Sequence, residues 1–198
     1  MRLRTRVGLV VAVPLITLAS VVATVIGMGC PPMENKYPSD HYSRALLYGG
    51  GQRNDKMRFD GADRLYRQGK FDRIIFAGTA EDQRIFIELN QPSGMPYELA
   101  QLSRYTAEEV RNASKLLQPK EPILHISGEE QMERIAYTVK KLKFDTEKND
   151  GYAGTEDNYT GFGARLREHI ACESTKYGKE SWLKWLEEHI PFYKKLTS

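Results

Sequence analysis

The stretch from Ala45 to Thr79, ALLYGGGQRNDKMRFDGADRLYRQGKFDRIIFAGT, constrains the fold more than any other part of the chain. Two short apolar runs, Ala45 to Tyr48 and Ile74 to Ala77, each stop at glycine. Between them Phe59, Ala62, Leu65 and Tyr66 recur at three- and four-residue steps, the spacing of a helix with one buried face. Strand, glycine turn, helix and strand make a β-α-β unit, whose two strand tips share one edge of a parallel sheet. Ligands of open α/β sheets bind at that edge. The pattern predicts where chemistry can occur before it says what the chemistry is.

The alternation continues along the chain. Apolar spacing and glycine punctuation predict strands over 44–48, 73–77 and 122–127, a short edge strand over 97–102, and a further strand near 143–145. Helices are expected over 56–68, 82–89, 107–117 and 130–142, with Pro92-Ser93-Gly94 breaking the second. Thr106 followed by Glu109 reads as a capping box. Residues 150–160, rich in Gly, Asn, Asp and Tyr, read as a loop, and helices over 162–177 and 181–196 close the chain. In the last helix Trp182, Leu183, Leu186 and Ile190 form an apolar stripe for packing on the domain or on a partner or membrane surface. The expected fold is α/β, a Rossmann-like three-layer α/β/α sandwich with a parallel sheet, preceded by one N-terminal transmembrane helix.

That helix is expected because Val7 to Met28 carries no charged residue, and about 20 such residues cross a bilayer core. Arg2, Arg4 and Arg6 precede it and favour a cytoplasmic N-terminus, leaving the rest of the chain on the extracytoplasmic side. The organisation is then an anchor over 1–29, a proline-bearing linker over 30–42 and one α/β domain over 43–198. Two alternatives stay open: a cleaved signal peptide, and a lipoprotein modified at Cys30, which follows Gly27-Met28-Gly29. The excess of 29 Lys and Arg over 26 Asp and Glu comes from those three arginines, since every acid lies after Cys30. The folded part is near neutral, and no basic stripe argues for nucleic acid. Neither Cys30 and Cys172 nor the scattered His41, His125, His169 and His189 have metal-site spacing. An oxidising compartment permits a disulfide between the two cysteines.

Three strands end in small, permissive residues: Gly49-Gly50-Gly51, Gly78-Thr79 and Ser127-Gly128. Backbone amides there, with the partial positive charge of helix N-termini, suit an anion such as phosphate or carboxylate. Arg53 or Arg58 can add a cationic fork. A dinucleotide fingerprint is a poorer fit, because Gly49-x-Gly51-x-x-Asn54 lacks its third glycine and no acid ends the second strand. There is no Walker loop and no Gly-x-Ser-x-Gly elbow.

The run RFDGADRLYRQG from Arg58 to Gly69, followed by Ile74 to Gly78, resembles the signature of the SanA/YdcF/ElyC-like bacterial envelope proteins, of vancomycin-exclusion type. Gly94-Met95-Pro96 is similar to that family's Gly-Val-Pro element, and Ser103 to Glu108 to its Ser-x-x-Thr-x-Glu run. Ile123 to Arg134 resembles its strand, Thr-Ser turn and His-Met-x-Arg helix start, and Arg167 to Ala171 its closing helix. Three polar positions depart: Ala100 replaces an acid, Glu109 an asparagine and Gln131 a histidine.

The resemblance implies a Rossmann-like domain and a role in envelope integrity, peptidoglycan or lipid-carrier metabolism. It points to a phosphorylated or nucleotide-like ligand; the cofactor is left unknown. Gly49, Gly50, Gly51, Gly78, Thr79, Ser127 and Gly128 are expected to cradle the anion and Arg58 and Arg134 to neutralise it. Ser103 and Thr106 join them through the resemblance, with Glu108 as the acid/base candidate. Two other readings are a non-catalytic scaffold whose pocket has decayed, and a transferase using a nucleotide-derived cofactor such as S-adenosylmethionine.

Overall fold

Runs such as Ala45-Leu46-Leu47-Tyr48 and Ile74-Ile75-Phe76-Ala77 have no polar alternation, so strands built from them must be covered on both faces. The computed structural model describes residues 36–142 and 150–155, with 170–172, 174 and 189. Strands β1 (Tyr42–Tyr48), β2 (Phe71–Ala77), β3 (Tyr97–Leu99), β4 (Ile123–Gly128) and β5 (Gly151–Thr155) form one parallel sheet in the order β3-β2-β1-β4-β5. Helices α1 (Gln52–Arg67), α2 (Ala80–Ser93), α3 (Thr106–Ser114) and α4 (Glu129–Lys141) connect them. The fold is α/β and Rossmann-like.

Side chains that alternate along each strand divide the core in two. Ala45, Leu47, Ile74, Phe76, Leu124 and Ile126 pack with Phe59 and Ala62 of α1 and Phe86 of α2. Leu46, Tyr48, Ile75 and Ala77 face the other way, onto Val110 and Ala113 of α3 and Met132, Ile135 and Val139 of α4. Phe86 stacks on Phe76 at 4.6 Å between ring centroids and meets Phe59 edge-on at 5.8 Å. Aromatic contacts of this kind add to the area term that stabilises the sheet–helix seam.

The strands and helices predicted between residues 44 and 142 are present, with ends that differ by a few residues: β1, β2 and α1 begin earlier, while β3 stops at Leu99 and α3 at Ser114. The helix expected over 82–89 runs from Ala80 to Ser93 through Pro92. In the last turn, Pro92 costs only the bond its missing N–H would have made to the exposed turn before it. Gly94 then ends the helix in the left-handed region, at φ 68°.

Two expectations are overturned. Thr106 does not cap α3: Tyr105 occupies the N-cap without a side-chain bond, and Thr106 is the first helical residue. The capping box is instead at α2, where the Thr79 hydroxyl and the Asp82 carboxylate exchange bonds with each other's backbone N–H groups. The second correction concerns 150–160, predicted as a loop. Residues 151–155 form β5, buried beside β4. Its glycines report close approach rather than a turn: a Cβ on Gly151 would lie 2.5 Å from Tyr42 Oη and 2.9 Å from Leu124 Cδ1. Lys36, in the expected linker, pairs antiparallel with Tyr152 and so lines the outer side of β5.

Among the described residues, no helix is long and apolar enough to cross a membrane. The anchor over 1–29, the strand near 143–145 and most of the two C-terminal helices lie outside the described residues. Of those helices, residues 170–172, 174 and 189 are helical. Cys172 is disulfide-bonded, and the sequence holds one other cysteine, Cys30, which lies outside the described set.

Gly61 on α1 shows how tightly the layers meet. A Cβ there would stand 3.0 Å from Thr155 Cβ and closer still to its Cγ2. Thr155 cannot swing aside freely, because its hydroxyl donates to the Ser127 carbonyl at 3.1 Å. Gly61→Ala is therefore expected to destabilise the full-length chain by about 1–3 kcal/mol in urea denaturation, despite alanine's better helix propensity. An unchanged or raised midpoint would show that α1 is not wedged against β5.

Candidate functional site

The strand order reverses direction beside β1: the chain leaves β1 for β2 and β3 on one side, then returns to lay β4 and β5 on the other. Such a reversal opens a crevice at the C-terminal ends of the two diverging strands. Leu47 of β1 is in register with Ile126 of β4, so the glycine run 49–51 and the pair Ser127-Gly128 emerge next to each other on one rim. Helices α1, α2, α3 and α4 all start at this rim, immediately after Gly51, Thr79, Tyr105 and Gly128.

Each of the first three helices puts one buried acid in or just past its first turn: Asp55 on α1, Asp82 on α2 and Glu109 on α3. Those acids converge. Asp82 lies close enough to raise the proton affinity of both Asp55 and Glu109. The backbone amides expected to cradle an anion are met by these carboxylates. Gly50 N–H donates to Asp55 Oδ1 at 2.8 Å, and Thr79 N–H to Asp82 Oδ2 at 2.9 Å. Gly49 N–H donates to the Ala77 carbonyl at 2.7 Å and also lies against Glu109. Asp82 is seated so closely between the turns that a Cβ on Gly49 would approach its Oδ2 to 2.8 Å, and one on Gly78 to 3.0 Å.

Two arginines offset the acids. Arg58, from the middle of α1, is fully buried and lies beneath the glycine run rather than beside open solvent. Its Nη1 donates to the Gly49 carbonyl at 2.7 Å, the Tyr48 carbonyl at 3.3 Å and Gln131 Oε1 at 3.2 Å. A Cβ on Gly50 would overlap the Arg58 guanidinium, well inside van der Waals contact, so only glycine fits there while Arg58 keeps its place. Arg134, on α4, is also buried and favours the charged form of Glu109.

Burial drives the Glu109 carboxyl up to about 8, against the opposing pull of Arg134 and Arg58 and with Asp82 adding to the rise. Asp55 rises to about 6, chiefly through burial, while the Gly50 amide pulls the other way. At neutral pH Glu109 holds its proton, and the two guanidiniums face no excess of carboxylate until it ionises.

The remaining predicted site residues divide. Ser127 is in the crevice, its hydroxyl donating to Gln131 Oε1 at 3.2 Å, and Gly128 is the N-cap of α4. Thr79 caps α2 with its hydroxyl on Asp82 at 2.8 Å. Ser103 is tied to the rim through its N–H on the Gly78 carbonyl at 3.0 Å, but its hydroxyl bonds to Gln101 and Asn112. Glu108 turns away, accepting the Arg104 N–H at 2.8 Å as a cap of α3, while its neighbour Glu109 faces the crevice. Gly51, at φ 76°, provides the N-cap of α1. The side chain of Arg53 is outside the described set. Among the described residues, no three His, Cys, Asp or Glu side chains are placed to hold a metal ion.

Behind the crevice a second polar chain is fully enclosed. Tyr48 Oη meets His125 Nδ1 at 2.8 Å, and His125 Nε2 faces Asp150 Oδ2 at 3.4 Å. Asp150 Oδ1 accepts the Ile123 N–H at 3.1 Å. His125 is stacked on Tyr152 at 5.0 Å, so β1, β4 and β5 are tied by one hydrogen-bonded path. With Asp150 as acceptor, Nε2 carries the proton and Nδ1 receives the phenol.

Comparison with family models, curated proteins and solved structures finds no match.

The elevated Glu109 has a direct thermodynamic signature. Its usual value of 4.5 rises to about 8 on folding, so the folded state holds an extra proton between those limits. Stability then falls as pH rises through that window, by up to about 1.4 kcal/mol per pH unit. Asp55 contributes below about 6, and His41, raised by its bonds to the Gly69 carbonyl and Asp72, adds to the slope near neutral pH, so the Glu109 share is the part that a Glu109 substitution removes. Urea denaturation should show Glu109→Gln losing much of the wild-type slope between about pH 6 and 8. Parallel wild-type and variant curves would mean that Glu109 is not buried as a neutral acid.

Proposed function

We propose that this protein is a membrane-anchored cell-envelope protein that binds a phosphorylated or nucleotide-like ligand in the crevice between β1 and β4. The observation that carries this reading is the adjacency of the glycine run and Ser127-Gly128 at the point where the strand order reverses. Four helix N-termini surround that point, and two guanidiniums lie under and beside it. Arg134, which acts on Glu109, is the cation proposed to neutralise the phosphate. Arg58 is committed to the loop carbonyls and contributes field and shape rather than a contact. If the ligand is turned over, Glu109 is the acid/base candidate, because it carries a proton at neutral pH.

Kinship with the SanA/YdcF/ElyC-like envelope proteins is part of the same proposal. In its support, the run from Arg58 to Gly69 supplies the arginine beneath the glycine loop, the glycine against Thr155 and the fully buried Ala62. The disulfide at Cys172 supports an oxidising compartment outside the cytoplasm. A role in peptidoglycan or lipid-carrier metabolism, or in barrier function, is what the resemblance to that family implies and is part of the same proposal.

A second reading has its own observation. The Gly50 and Thr79 amides are already satisfied by Asp55 and Asp82, as they would be in a scaffold whose pocket is filled by its own acids. Binding separates the two. Undecaprenyl phosphate and nucleotides are titrated onto the full-length chain in mild detergent at pH 7. The ligand reading expects saturable binding that weakens at least tenfold in Arg134→Gln and also above pH 8, as Glu109 ionises. Absence of saturable binding by any of them, or equal affinity in Arg134→Gln, favours the scaffold.

A further inference from the structure

Asp55 and Asp82 come from different helices, and each carboxylate completes the turn that leads into its own helix. Asp55 Oδ1 is occupied by the Gly50 amide and so holds the β1–α1 turn. Asp82 Oδ2 takes both the amide and the hydroxyl of Thr79 and so holds the β2–α2 turn. The remaining oxygen of Asp55, Oδ2, is buried and meets no donor from the protein. The Asp82 carboxyl is its neighbour from the next turn, near enough to raise the proton affinity of Asp55 both by charge and as a side-chain hydrogen-bond partner. Two carboxylates in that position repel unless something lies between them, and a proton is the smallest bridge.

We propose that Asp55 and Asp82 share one proton in a carboxyl–carboxylate hydrogen bond, and that this bond clasps the β1–α1 and β2–α2 turns together. The proton sits on Asp55 Oδ2, and Asp82 accepts it. Loss of that proton leaves two negative charges facing each other between turns that include Gly49, Gly50 and Gly78, and the turns separate. The clasp is therefore a pH-sensitive latch on one wall of the crevice, and it holds whether or not the crevice takes a phosphorylated ligand.

The surrounding charges set its range. Arg58, on the same helix as Asp55, favours ionisation, as does the Gly50 amide; burial and Asp82 oppose it. From α3, Glu109 lies against Asp82 but is neutral until about 8, and Arg134 of α4 acts on Glu109. The latch thus opens near pH 6, where Asp55 titrates, and Glu109 adds further repulsion only two units higher.

Carboxyl ¹³C titration of the wild-type full-length chain tests this without a substitution. The expected result is an Asp55 transition near pH 6 that is also sensed at the Asp82 carboxyl carbon, as for two groups that share one proton. Amide hydrogen exchange, corrected for intrinsic rates, should show protection over 49–55 and 78–82 falling as pH is raised from 5 to 7.5. Asp55→Asn, which keeps a donor toward Asp82, should hold that protection constant across the same range. Two independent transitions in the ordinary aspartate range overturn the proposal. So does pH-dependent protection that Asp55→Asn leaves unchanged; should that variant fail to fold, Asp82→Asn is read in the same way.

Discussion

A guanidinium cut off from water must be met by oxygen from the protein, and at Arg58 the chain meets it largely with its own backbone. The carbonyls of Tyr48 and Gly49 and the amide oxygen of Gln131 converge on Nη1. Leaving such a charge unmatched costs several kcal/mol, so the turn after β1 is constrained to present its carbonyls inward. Once they point inward, the amide of Gly50 points toward Asp55. Gly50 must also lack a side chain, because the guanidinium fills the space where one would go. One buried cation therefore shapes the loop and selects its glycine. Through Gln131 it also links the tip of β1 to the start of α4.

The same logic extends across the rim. Parallel sheets of this kind collect helix N-termini on one edge, and those termini attract negative charge. Here the chain supplies that charge itself, with one acid from each of α1, α2 and α3. Carboxylates placed so close together cannot all ionise at once. Of the two displaced acids, Glu109 takes the larger upward displacement and Asp55 the smaller one. The crevice is a charge-balanced cluster rather than an empty cation-lined bowl, and its balance is tied to protonation.

The architecture of residues 42–142 is legible in the sequence because unbroken apolar strands and helical spacing report burial directly. The rim is legible too, since Gly49 to Gly51, Gly78 and Ser127-Gly128 mark strand ends whatever they bind. Residues 151–155 are not, because a glycine that allows Tyr42 and Leu124 to approach a strand, as Gly151 does, looks the same in sequence as a glycine that turns a loop. The acids are hidden for a related reason. Asp55, Asp82 and Glu109 each sit three or four residues past a turn, where an acid serves equally well as an ordinary cap. Glu108 and Glu109 differ by one position, about 100° around a helix. Only packing decides that the first caps α3 while the second faces Arg134.

The claim on which this description turns is that Glu109 is held neutral by burial and by the Asp82 charge within one coupled cluster. Its ionisation midpoint can be read by carboxyl ¹³C chemical shift in the full-length chain, with and without Asp82→Asn. The account predicts a midpoint near 8 in the wild type, moving down when the Asp82 charge is removed. A wild-type midpoint in the ordinary carboxylate range, or one indifferent to Asp82, would contradict it.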